Sequence, residues 1–450
     1  MTFSTDFIWG AASSAYQIEG AAYADGKGLS VWDMMCRKQG AIYQAQNGEI
    51  ACDHYHAFKQ DVVLMKEIGI RAYRFSLSWP RIIPGGTGEV NPQGIAFYNA
   101  LINELLENDI IPYITLFHWD YPYDLYRRGS WLNHDSPKWF AEYTKIVVNN
   151  FSDRVENWIT LNEPQCFIGL GHQTGIHAPG DKLDLAEVLI AGHHALVAHG
   201  RSVQVIREYA KRKPSIGYAP VGIIKMPTTD AMEDVERARH ATFSVNDSSC
   251  WNNTWWMDSV LLGRYPEDGL RLYGDAVPHF STDEMETIST PIDFLGSNIY
   301  NGAYVTADQD GNCKEAQLYN GFAGTAMDWP VTPEALYWGP KFLYERYKKP
   351  IFITENGMAN TDWPSVDGKV HDPQRIDFLH RYLVQLKRIC DEGIPVKGYF
   401  QWSLTDNFEW SFGYNKRFGL IYIDYRDQRR ILKESAYWYQ QIIISNGGCL

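Results

Sequence analysis

The stretch Val155-Glu-Asn-Trp-Ile-Thr-Leu-Asn-Glu-Pro164 carries a short apolar run directly into a pair of polar residues. The run Val155–Thr160 is rich in β-forming residues and predicts a buried strand. Asn162 and Glu163 follow where that strand is expected to end. In α/β barrels the residues that carry the chemistry stand at the carboxyl ends of strands, so this stretch predicts both a fold and a site.

Similar runs recur along the whole chain and alternate with longer segments of helical periodicity. The eight predicted strands are Phe7–Ala12, Ala72–Ser76, Ile111–Leu116, Val155–Thr160, Ser215–Ala219, Phe294–Ser297, Ile351–Thr354 and Val396–Trp402. The predicted helices include Asp61–Ile68, Ile95–Leu106, Pro137–Asn149, Leu185–Ala210 and Gln374–Asp391. Strands that alternate with helices indicate parallel βαβ units, and eight strands close a barrel. We therefore predict an α/β fold, a (β/α)8 TIM barrel that forms a single domain over residues 1–450 with inserted βα loops.

Hydrogen-bonding or aromatic side chains stand at or near the ends of seven of these strands. They are Gln17, Arg74, His118, Trp119, Asn162, Glu163, Asn298, Tyr300, Glu355, Asn356 and Trp402. A single polar residue at a strand end could simply begin a loop. All strand ends of a barrel meet on one face, however, so this set is expected to converge on a single pocket.

Two glutamates in this set, Glu163 and Glu355, suit the hydrolysis of glycosidic bonds. This reaction needs one carboxylic acid to protonate the leaving oxygen and one carboxylate. The carboxylate attacks the anomeric carbon in retaining enzymes and activates water in inverting ones. One Asn-Glu-Pro or Glu-Asn-Gly tripeptide would be weak evidence, but both occur in order after the predicted fourth and seventh strands.

The chain resembles the family 1 glycoside hydrolases over nearly all of its 450 residues. The segments that carry the resemblance are Phe7-Ile-Trp-Gly-Ala-Ala-Ser-Ser-Ala-Tyr-Gln-Ile-Glu-Gly20, Tyr73-Arg-Phe-Ser76, Phe117-His-Trp-Asp120, Thr160-Leu-Asn-Glu-Pro164, Ile353-Thr-Glu-Asn-Gly357, Trp402-Ser-Leu-Thr-Asp-Asn-Phe-Glu-Trp410 and Phe418-Gly-Leu-Ile-Tyr-Ile-Asp424. Most members of that family are β-glucosidases or β-galactosidases. They share the (β/α)8 barrel and retain the anomeric configuration.

The resemblance implies that Glu163 is the general acid/base and Glu355 the nucleophile. Arg74 beside Glu355, and a hydrogen bond from Tyr300, would both favour the carboxylate form of the nucleophile. Glu163, enclosed near a second carboxylate, is expected to have a raised pKa and to hold the proton.

The resemblance also implies a β-glucosidase that removes terminal, non-reducing β-D-glucosyl residues by double displacement. The expected substrates are cellobiose, cello-oligosaccharides and aryl β-glucosides, with side activity on β-galactosides and β-fucosides. Trp402 and Trp410 resemble the pair of rings that the family places under the sugar and toward its polar edge. The full set of predicted substrate-binding residues is Gln17, His118, Trp119, Asn162, Asn298, Tyr300, Trp329, Trp402, Glu409, Trp410 and Phe418.

Two other functions occur on the same barrel among the proteins that this chain resembles. Relatives that cleave 6-phospho sugars have a Ser at the position of Glu409, followed by basic residues and a Tyr. Here Glu409 and Phe418 stand instead, and a carboxylate would repel a phosphate, although Lys416 and Arg417 lie nearby. Some relatives have lost a glutamate and act as binding proteins, but this chain keeps both.

The leaving-group side departs from the family pattern. Many relatives have Trp directly after Asn-Glu-Pro, where this chain has Gln165 and then Cys166. Trp329 resembles the family's aglycone platform, although relatives often have Gly where Asp328 stands. We expect Gln165 to make the entrance more polar and to favour oligosaccharides over flat aromatic glycosides, and Cys166 to be a small filler residue.

Composition and charge argue against nucleic-acid binding, membrane binding, secretion and metal binding. The formal net charge is −13, and Lys and Arg are scattered, so neither nucleic acid nor an anionic membrane is an expected partner. The sequence shows no secretory signal, and its seven Cys are dispersed and odd in number, which predicts reduced thiols in a cytoplasmic protein. The segment Asp53-His54-Tyr55-His56 has no further ligands at zinc-site spacing, so neither a metal nor a cofactor is predicted. No pattern in the sequence specifies an oligomeric state.

Overall fold

A closed barrel of parallel strands forms the centre of the protein, for which the computed structural model describes residues 2–450. The strands are β1 Ile8–Ala12, β2 Ala72–Ser76, β3 Ile111–Phe117, β4 Asn157–Asn162, β5 Ser215–Ala219, β6 Ile224–Pro227, β7 Phe294–Asn298, β8 Gly302–Ala307, β9 Cys313–Glu315, β10 Ile351–Asn356, β11 Val396–Trp402, β12 Ile421–Asp424 and β13 Arg429–Leu432. Within the described residues, eight of them close the barrel in the order β1-β2-β3-β4-β5-β7-β10-β11, and β11 pairs with β1. The predicted (β/α)8 fold is confirmed.

Helices cover the outside of the barrel. They are α1 Ala15–Ile18, α2 Val31–Met35, α3 His54–Ile68, α4 Trp79–Ile82, α5 Pro92–Glu107, α6 Tyr123–Tyr126, α7 Ser136–Phe151, α8 Leu185–Tyr209, α9 Met232–Thr242, α10 Thr254–Leu262, α11 Glu267–Tyr273, α12 Thr282–Ile288, α13 Ala335–Tyr347, α14 Pro373–Asp391 and α15 Glu434–Ile444. A further helix, Gln165–Gln173, has π geometry and directly follows the Asn-Glu-Pro segment. The helices present apolar stripes to the sheet, and the large core lies between the two layers.

Aromatic side chains fill the inside of the barrel below the strand ends. Phe294 packs on Phe352 with ring centroids 4.8 Å apart, and Tyr113 packs on Phe400 at 5.0 Å. Glycine on a neighbouring strand provides the room, because a Cβ on Gly217 would lie 2.1 Å from the Phe294 ring. The barrel is therefore a packed core with its open end at the carboxyl ends of the strands.

Two small sheets lie outside the barrel. Strand β6 follows β5 and pairs in parallel with β8, which pairs antiparallel with β9. Strands β12 and β13 form an antiparallel hairpin after the last barrel strand. The β6-β8-β9 sheet belongs to the loops at the open end, so it extends the wall around the site.

The predicted strands agree with the observed ones to within two residues at each end. The largest shift moves the fourth strand from Val155–Thr160 to Asn157–Asn162, which places Asn162 inside β4. Glu355 likewise lies within β10, one residue beyond the predicted end of that strand. Among residues 2–450, no helix combines the length and the apolar character needed to cross a bilayer.

Candidate active site

A cavity of about 550 Å³ opens at the carboxyl ends of the barrel strands. Both Glu163 and Glu355 line it. The other predicted residues on its wall are His118, Trp119, Asn298, Tyr300, Trp329, Trp402, Glu409, Trp410 and Phe418. The volume falls in the usual range for small-molecule sites. Residues that are far apart in the chain thus meet in one pocket because the barrel closes.

Three predicted residues, Gln17, Arg74 and Asn162, lie one layer behind this wall. All three are fully buried. Their contacts connect one wall residue to the next, so they position the side chains that face the cavity. Direct contact of Gln17 and Asn162 with a sugar stays a prediction.

Arg74 on β2 holds Glu355 from behind. Its Nη1 donates to Glu355 Oε1 at 2.6 Å and to the Thr354 carbonyl at 2.9 Å. Its Nη2 donates to Asn162 Oδ1 at 2.5 Å. A buried guanidinium with these partners is fixed in both position and direction, and so is the carboxylate beside it.

The second oxygen of Glu355 accepts a hydrogen bond from the hydroxyl of Tyr300 at 2.7 Å. Burial and the charge of Glu355 hold the pKa of Tyr300 well above its ordinary value, so the phenol keeps its proton and donates. Both oxygens of Glu355 are therefore engaged by donors.

Glu163 is held by a single amide. Asn298 Nδ2 donates to Glu163 Oε1 at 2.8 Å and to Asn162 Oδ1 at 3.1 Å. Asn298 Oδ1 accepts from the Thr354 hydroxyl at 2.6 Å, which fixes the orientation of the amide. No cation contacts Glu163 within the residues described.

Because their partners differ, the two glutamates have different protonation states near neutral pH. Burial, and then the charge of Glu355, raise the pKa of Glu163 to about 8. Burial also raises the pKa of Glu355, but Arg74 and Tyr300 counteract it by stabilising the anion. The proton that the pair holds near neutral pH therefore resides on Glu163.

His118 takes a defined tautomer beside this pair. Asn162 Oδ1 accepts from Arg74 and from Asn298, so the Asn162 Nδ2 group must be the donor toward His118 Nε2, 3.1 Å away. The ring then carries its proton on Nδ1. Burial, and next the positive charge of Arg74, hold the pKa of His118 well below its ordinary value, so the imidazole is neutral.

Glu409 is held by Gln17, a buried side chain near the start of the chain. Gln17 Nε2 donates to Glu409 Oε2 at 3.2 Å and to the Phe408 carbonyl at 3.0 Å. Ser14 donates to Gln17 Oε1 at 2.6 Å. Burial, and then the charge of Glu355, raise the pKa of Glu409 to about 8.

The raised pKa of Glu409 reduces the electrostatic repulsion expected between this side chain and a phosphate on the sugar. A protonated Glu409 would repel a phosphate less than a full carboxylate would. The two nearby cations are, however, already engaged: Lys416 donates to the Ala326 carbonyl, and Arg417 pairs with Asp406 at 2.7 Å. Neither cation lines the cavity, which disfavours the phosphate alternative.

Aromatic rings form two groups on the cavity wall. His118 stacks on Trp402 with ring centroids 5.8 Å apart and on Trp410 with centroids 6.0 Å apart. The Trp410 ring also packs against Trp32 and Trp119, each at a centroid distance of 4.5 Å. In the second group, the centroid of Tyr300 lies 5.2 Å from that of Trp329 and 6.1 Å from that of Phe418. Flat apolar faces of this kind suit the C–H face of a pyranose.

The backbone around the site is strained at three residues. Glu163, Trp119 and Trp410 have φ values of 48°, 78° and 48°, a region that non-glycine residues rarely adopt. Each such residue costs about 1–3 kcal/mol and persists only where its surroundings fix it. Gly357 is required for a different reason, since a Cβ there would lie 1.8 Å from the Trp402 carbonyl oxygen.

The expectation that Gln165 makes the entrance polar is wrong. Gln165 is fully buried and does not line the cavity. Its amide accepts from Val221 N at 3.2 Å and donates to the carbonyls of Val221 at 3.2 Å and Asn252 at 3.4 Å. A buried amide is stable when backbone groups satisfy its hydrogen bonds. Gln165 therefore links the loop that contains Val221 to the loop that contains Asn252. Cys166 does line the cavity, and burial, followed by the charge of Glu163, raises its pKa well above the ordinary value.

Several wall residues could not be found from the sequence. Ile176, Trp251 and Phe412 rim the cavity, and Lys225 on β6 and Glu315 on β9 pair with each other at its edge. None of them belongs to a recognisable motif, since they stand in inserted loops and strands. Within residues 2–450, no group of three or more His, Cys, Asp or Glu side chains is arranged to hold a metal ion.

Comparison with known proteins agrees with this geometry. The sequence profile of glycosyl hydrolase family 1 matches residues 1–448. β-Glucosidase A of Thermotoga maritima is 43% identical over 446 residues, which cover 99% of this chain and 98% of that protein. The 1,4-β-D-glucan glucohydrolase of Thermotoga neapolitana is also 43% identical, with 99% of each chain covered. The solved structure of the Thermotoga maritima β-glucosidase with glucoimidazole aligns with a TM-score of 0.91, at 42% identity and 99% coverage of both chains.

The chain belongs to glycosyl hydrolase family 1. It is therefore a glycoside hydrolase built on a TIM barrel, and the predicted family, fold and enzyme class are confirmed.

Proposed function

We propose that this chain is a retaining β-glucosidase that removes terminal, non-reducing β-D-glucosyl residues by double displacement. The observation that carries the proposal is the asymmetry of the glutamate pair. Glu355 accepts from Arg74 and Tyr300, while Glu163 has one amide partner and a pKa of about 8. One carboxylate and one carboxylic acid at neutral pH are what the first step requires.

In the first step, a Glu355 carboxylate oxygen bonds to the anomeric carbon as the bond from that carbon to the aglycone oxygen breaks. Glu163 transfers its proton to the departing oxygen, and the aglycone leaves as a neutral alcohol. The sugar is then an ester of Glu355. The fixed position of Glu355 against Arg74 lowers the entropy cost of this attack.

In the second step, Glu163 changes role from acid to base. Esterification removes the negative charge of Glu355, which is a cause of the raised pKa of Glu163. The pKa of Glu163 therefore falls, and its carboxylate can take a proton from water. The water oxygen bonds to the anomeric carbon, the ester bond to Glu355 breaks, and the sugar leaves with its original configuration.

The glycone side of the cavity supports an unphosphorylated hexose. Glu409 can hydrogen-bond sugar hydroxyls, and Trp402 and Trp410 offer ring faces. Candidate substrates are cellobiose, cello-oligosaccharides and aryl β-glucosides, in line with relatives named as a β-glucosidase and a β-glucan glucohydrolase. Side activity on β-galactosides and β-fucosides is proposed, because the same polar edge can meet the 4-hydroxyl in either orientation.

The test uses p-nitrophenyl β-glucoside, β-galactoside and β-glucoside 6-phosphate in parallel, with the first product anomer followed by NMR. We expect cleavage of the plain glucoside with initial release of the β-anomer. Initial release of the α-anomer would contradict the retaining mechanism. Cleavage of the phosphorylated sugar alone would contradict the substrate class, and failure on all three would favour the binding-protein alternative.

A further inference from the structure

Asp120 is a buried carboxyl group that the proposed mechanism does not use. It follows His118 and Trp119 directly after β3, is 1% exposed and does not line the cavity. Its neighbour is the hydroxyl of Ser78, the residue before α4, which is equally buried. Within residues 2–450, neither group has another hydrogen-bond partner. Because buried polar groups in folded proteins are nearly always paired, these two groups pair with each other.

The charges around Asp120 leave it without a cation. The charged side chains that act on its carboxyl group are Glu19 and Lys27. Glu19 is paired with Arg81 at 2.8 Å, and both side chains are at most 5% exposed. Lys27 is paired with the equally buried Asp33 at 3.1 Å. A buried carboxyl group without a cation takes up a proton instead of keeping its charge.

The electrostatics of the carboxyl group agree with this count of charges. Burial raises the pKa of Asp120 well above its ordinary value, and the negative charge of Glu19 raises it further. Asp120 is therefore a neutral carboxylic acid near neutral pH. In this form it has one hydrogen to donate and an oxygen that accepts, and the Ser78 hydroxyl can meet either.

Asp120 lies in the tight turn that presents two residues to the cavity. Tyr121 N donates to the Trp119 carbonyl at 3.0 Å, so the chain reverses around Asp120. Trp119 has a φ of 78° in this turn, and its Nε1 donates to the Asn162 carbonyl at 3.0 Å. A backbone conformation of this kind persists only where the surroundings fix it. The buried carboxyl group behind the wall is such a fixed point.

We propose that Asp120 is a positioning residue: as a neutral carboxylic acid paired with Ser78, it anchors the turn that presents His118 and Trp119 to the sugar. The inference rests on the proposed function, because both of these residues line the cavity in which the glucoside is cleaved. Asp120 itself contacts no substrate. Misplacement of a positioning group by about 1 Å can cost about 10²-fold in rate, so loss of the anchor should appear in kcat/KM.

Two substitutions of similar size test the proposal. Asp120→Asn keeps an uncharged donor and acceptor, as the neutral acid does, whereas Asp120→Leu has neither. With p-nitrophenyl β-glucoside near neutral pH, we expect Asp120→Asn to keep kcat/KM within about threefold of the wild-type value. Asp120→Leu should lose about 10–10²-fold.

A second background separates positioning from a general loss of stability. In His118→Phe, a side chain through which Asp120 acts is already removed, so adding Asp120→Leu should cost about fivefold less in kcat/KM than it does in the wild-type protein. The matched structural control is Asp258→Asn, since Asp258 is 2% exposed, pairs with Arg346 and does not line the cavity. This control should lower the midpoint of chemical denaturation and leave kcat/KM within about twofold.

The proton on Asp120 is measured without reference to activity. The infrared spectrum at neutral pH should contain a protonated-carboxyl component that Asp120→Asn removes and Asp258→Asn keeps. Equal losses of kcat/KM in Asp120→Asn and Asp120→Leu, or an unchanged carboxyl band in Asp120→Asn, would show that Asp120 is a carboxylate and would overturn the inference.

Two kinetic outcomes would also overturn it. Wild-type kcat/KM in Asp120→Leu would show that the turn needs no anchor. The same loss in the wild-type and His118→Phe backgrounds would show a role in stability alone. Failure of the wild-type protein on every β-glucoside would instead remove the proposed function and the catalytic role of the turn with it, whereas a result confined to the Asp120 variants concerns this inference alone.

Discussion

Two residues of the same type differ in function here because their neighbours differ. Glu163 and Glu355 are both buried in one cavity, yet a guanidinium contacts only Glu355. In a buried site, a positive charge 2.6 Å away strongly favours the anionic form of the carboxylate beside it. Arg74 therefore decides which glutamate carries the proton.

Replacement of the proposed acid should depend on the leaving group. In Glu163→Gln we expect kcat/KM for methyl β-glucoside, a poor leaving group, to fall by about 10²–10⁴-fold. A dinitrophenyl β-glucoside needs little protonation and should lose much less in the first step. Equal losses on both substrates would contradict the assignment.

Removal of the proposed nucleophile should abolish hydrolysis. Glu355→Gly leaves a gap beside the anomeric carbon while Arg74 remains in place, so a small anion such as azide or formate can enter. We expect added azide to restore turnover of an activated glucoside. Near-normal turnover of the variant without any anion would show that Glu355 is not the nucleophile.

The pH profile of kcat/KM should fall on the alkaline side near pH 8. Burial and the charge of Glu355 raise the pKa of Glu163 to about 8, so the acid is protonated below that pH and is lost as the pH rises through it. In Glu163→Gln this alkaline limb should disappear for activated substrates. A limb that persists unchanged in the variant would assign it to Glu409, whose pKa is also raised to about 8.

At the scale of elements, a buried ion network holds the segment after β11, which carries Glu409 and Trp410. Lys433, next to α15, donates to Asp362 and to Asp406, both at 2.6 Å. Asp406 also forms an ion pair with Arg417 at 2.7 Å. Lys433, Asp362 and Asp406 have fully buried side chains, so each charge depends on its partners for solvation.

Removal of the lysine should destabilise the protein strongly. Lys433→Met leaves the carboxylates of Asp362 and Asp406 short of a buried partner, and breaking such a pair costs about 3–5 kcal/mol. We expect a lower midpoint in chemical denaturation. Lys314→Met, at an exposed position, is the control and should change the free energy of unfolding by no more than about 0.5 kcal/mol. Equal stability of the two variants would show that the ion pairs of Lys433 do not contribute to the free energy of unfolding.

At the scale of the whole molecule, closure of the barrel brings the site residues together. Arg74 and Glu355 are 281 residues apart in sequence and 2.6 Å apart in space. Closure brings the carboxyl ends of their strands to one rim. The packed aromatic interior below supports this rim. The inserted β6-β8-β9 sheet then raises one side of this rim into the wall of the outer cavity.

Local sequence patterns were sufficient to predict the barrel and the residues at its strand ends. A strand is a local pattern of apolar β-forming residues, so three of the eight runs, including Ala72–Ser76, have the bounds that were predicted. The motifs around Glu163 and Glu355 were likewise visible, because each lies in a few consecutive residues. The single-domain organisation and the cytoplasmic location stay predictions.

Which of these side chains face the cavity depends on contacts that no local pattern specifies. Gln165 points into the protein because Val221 and Asn252 offer its amide buried partners, and no local pattern shows that. Trp251 stands at the mouth because inserted loops present it there, and Lys433 is satisfied by carboxylates from distant segments. Contacts between residues far apart in the chain depend on how the layers pack, and that packing is a property of the whole fold.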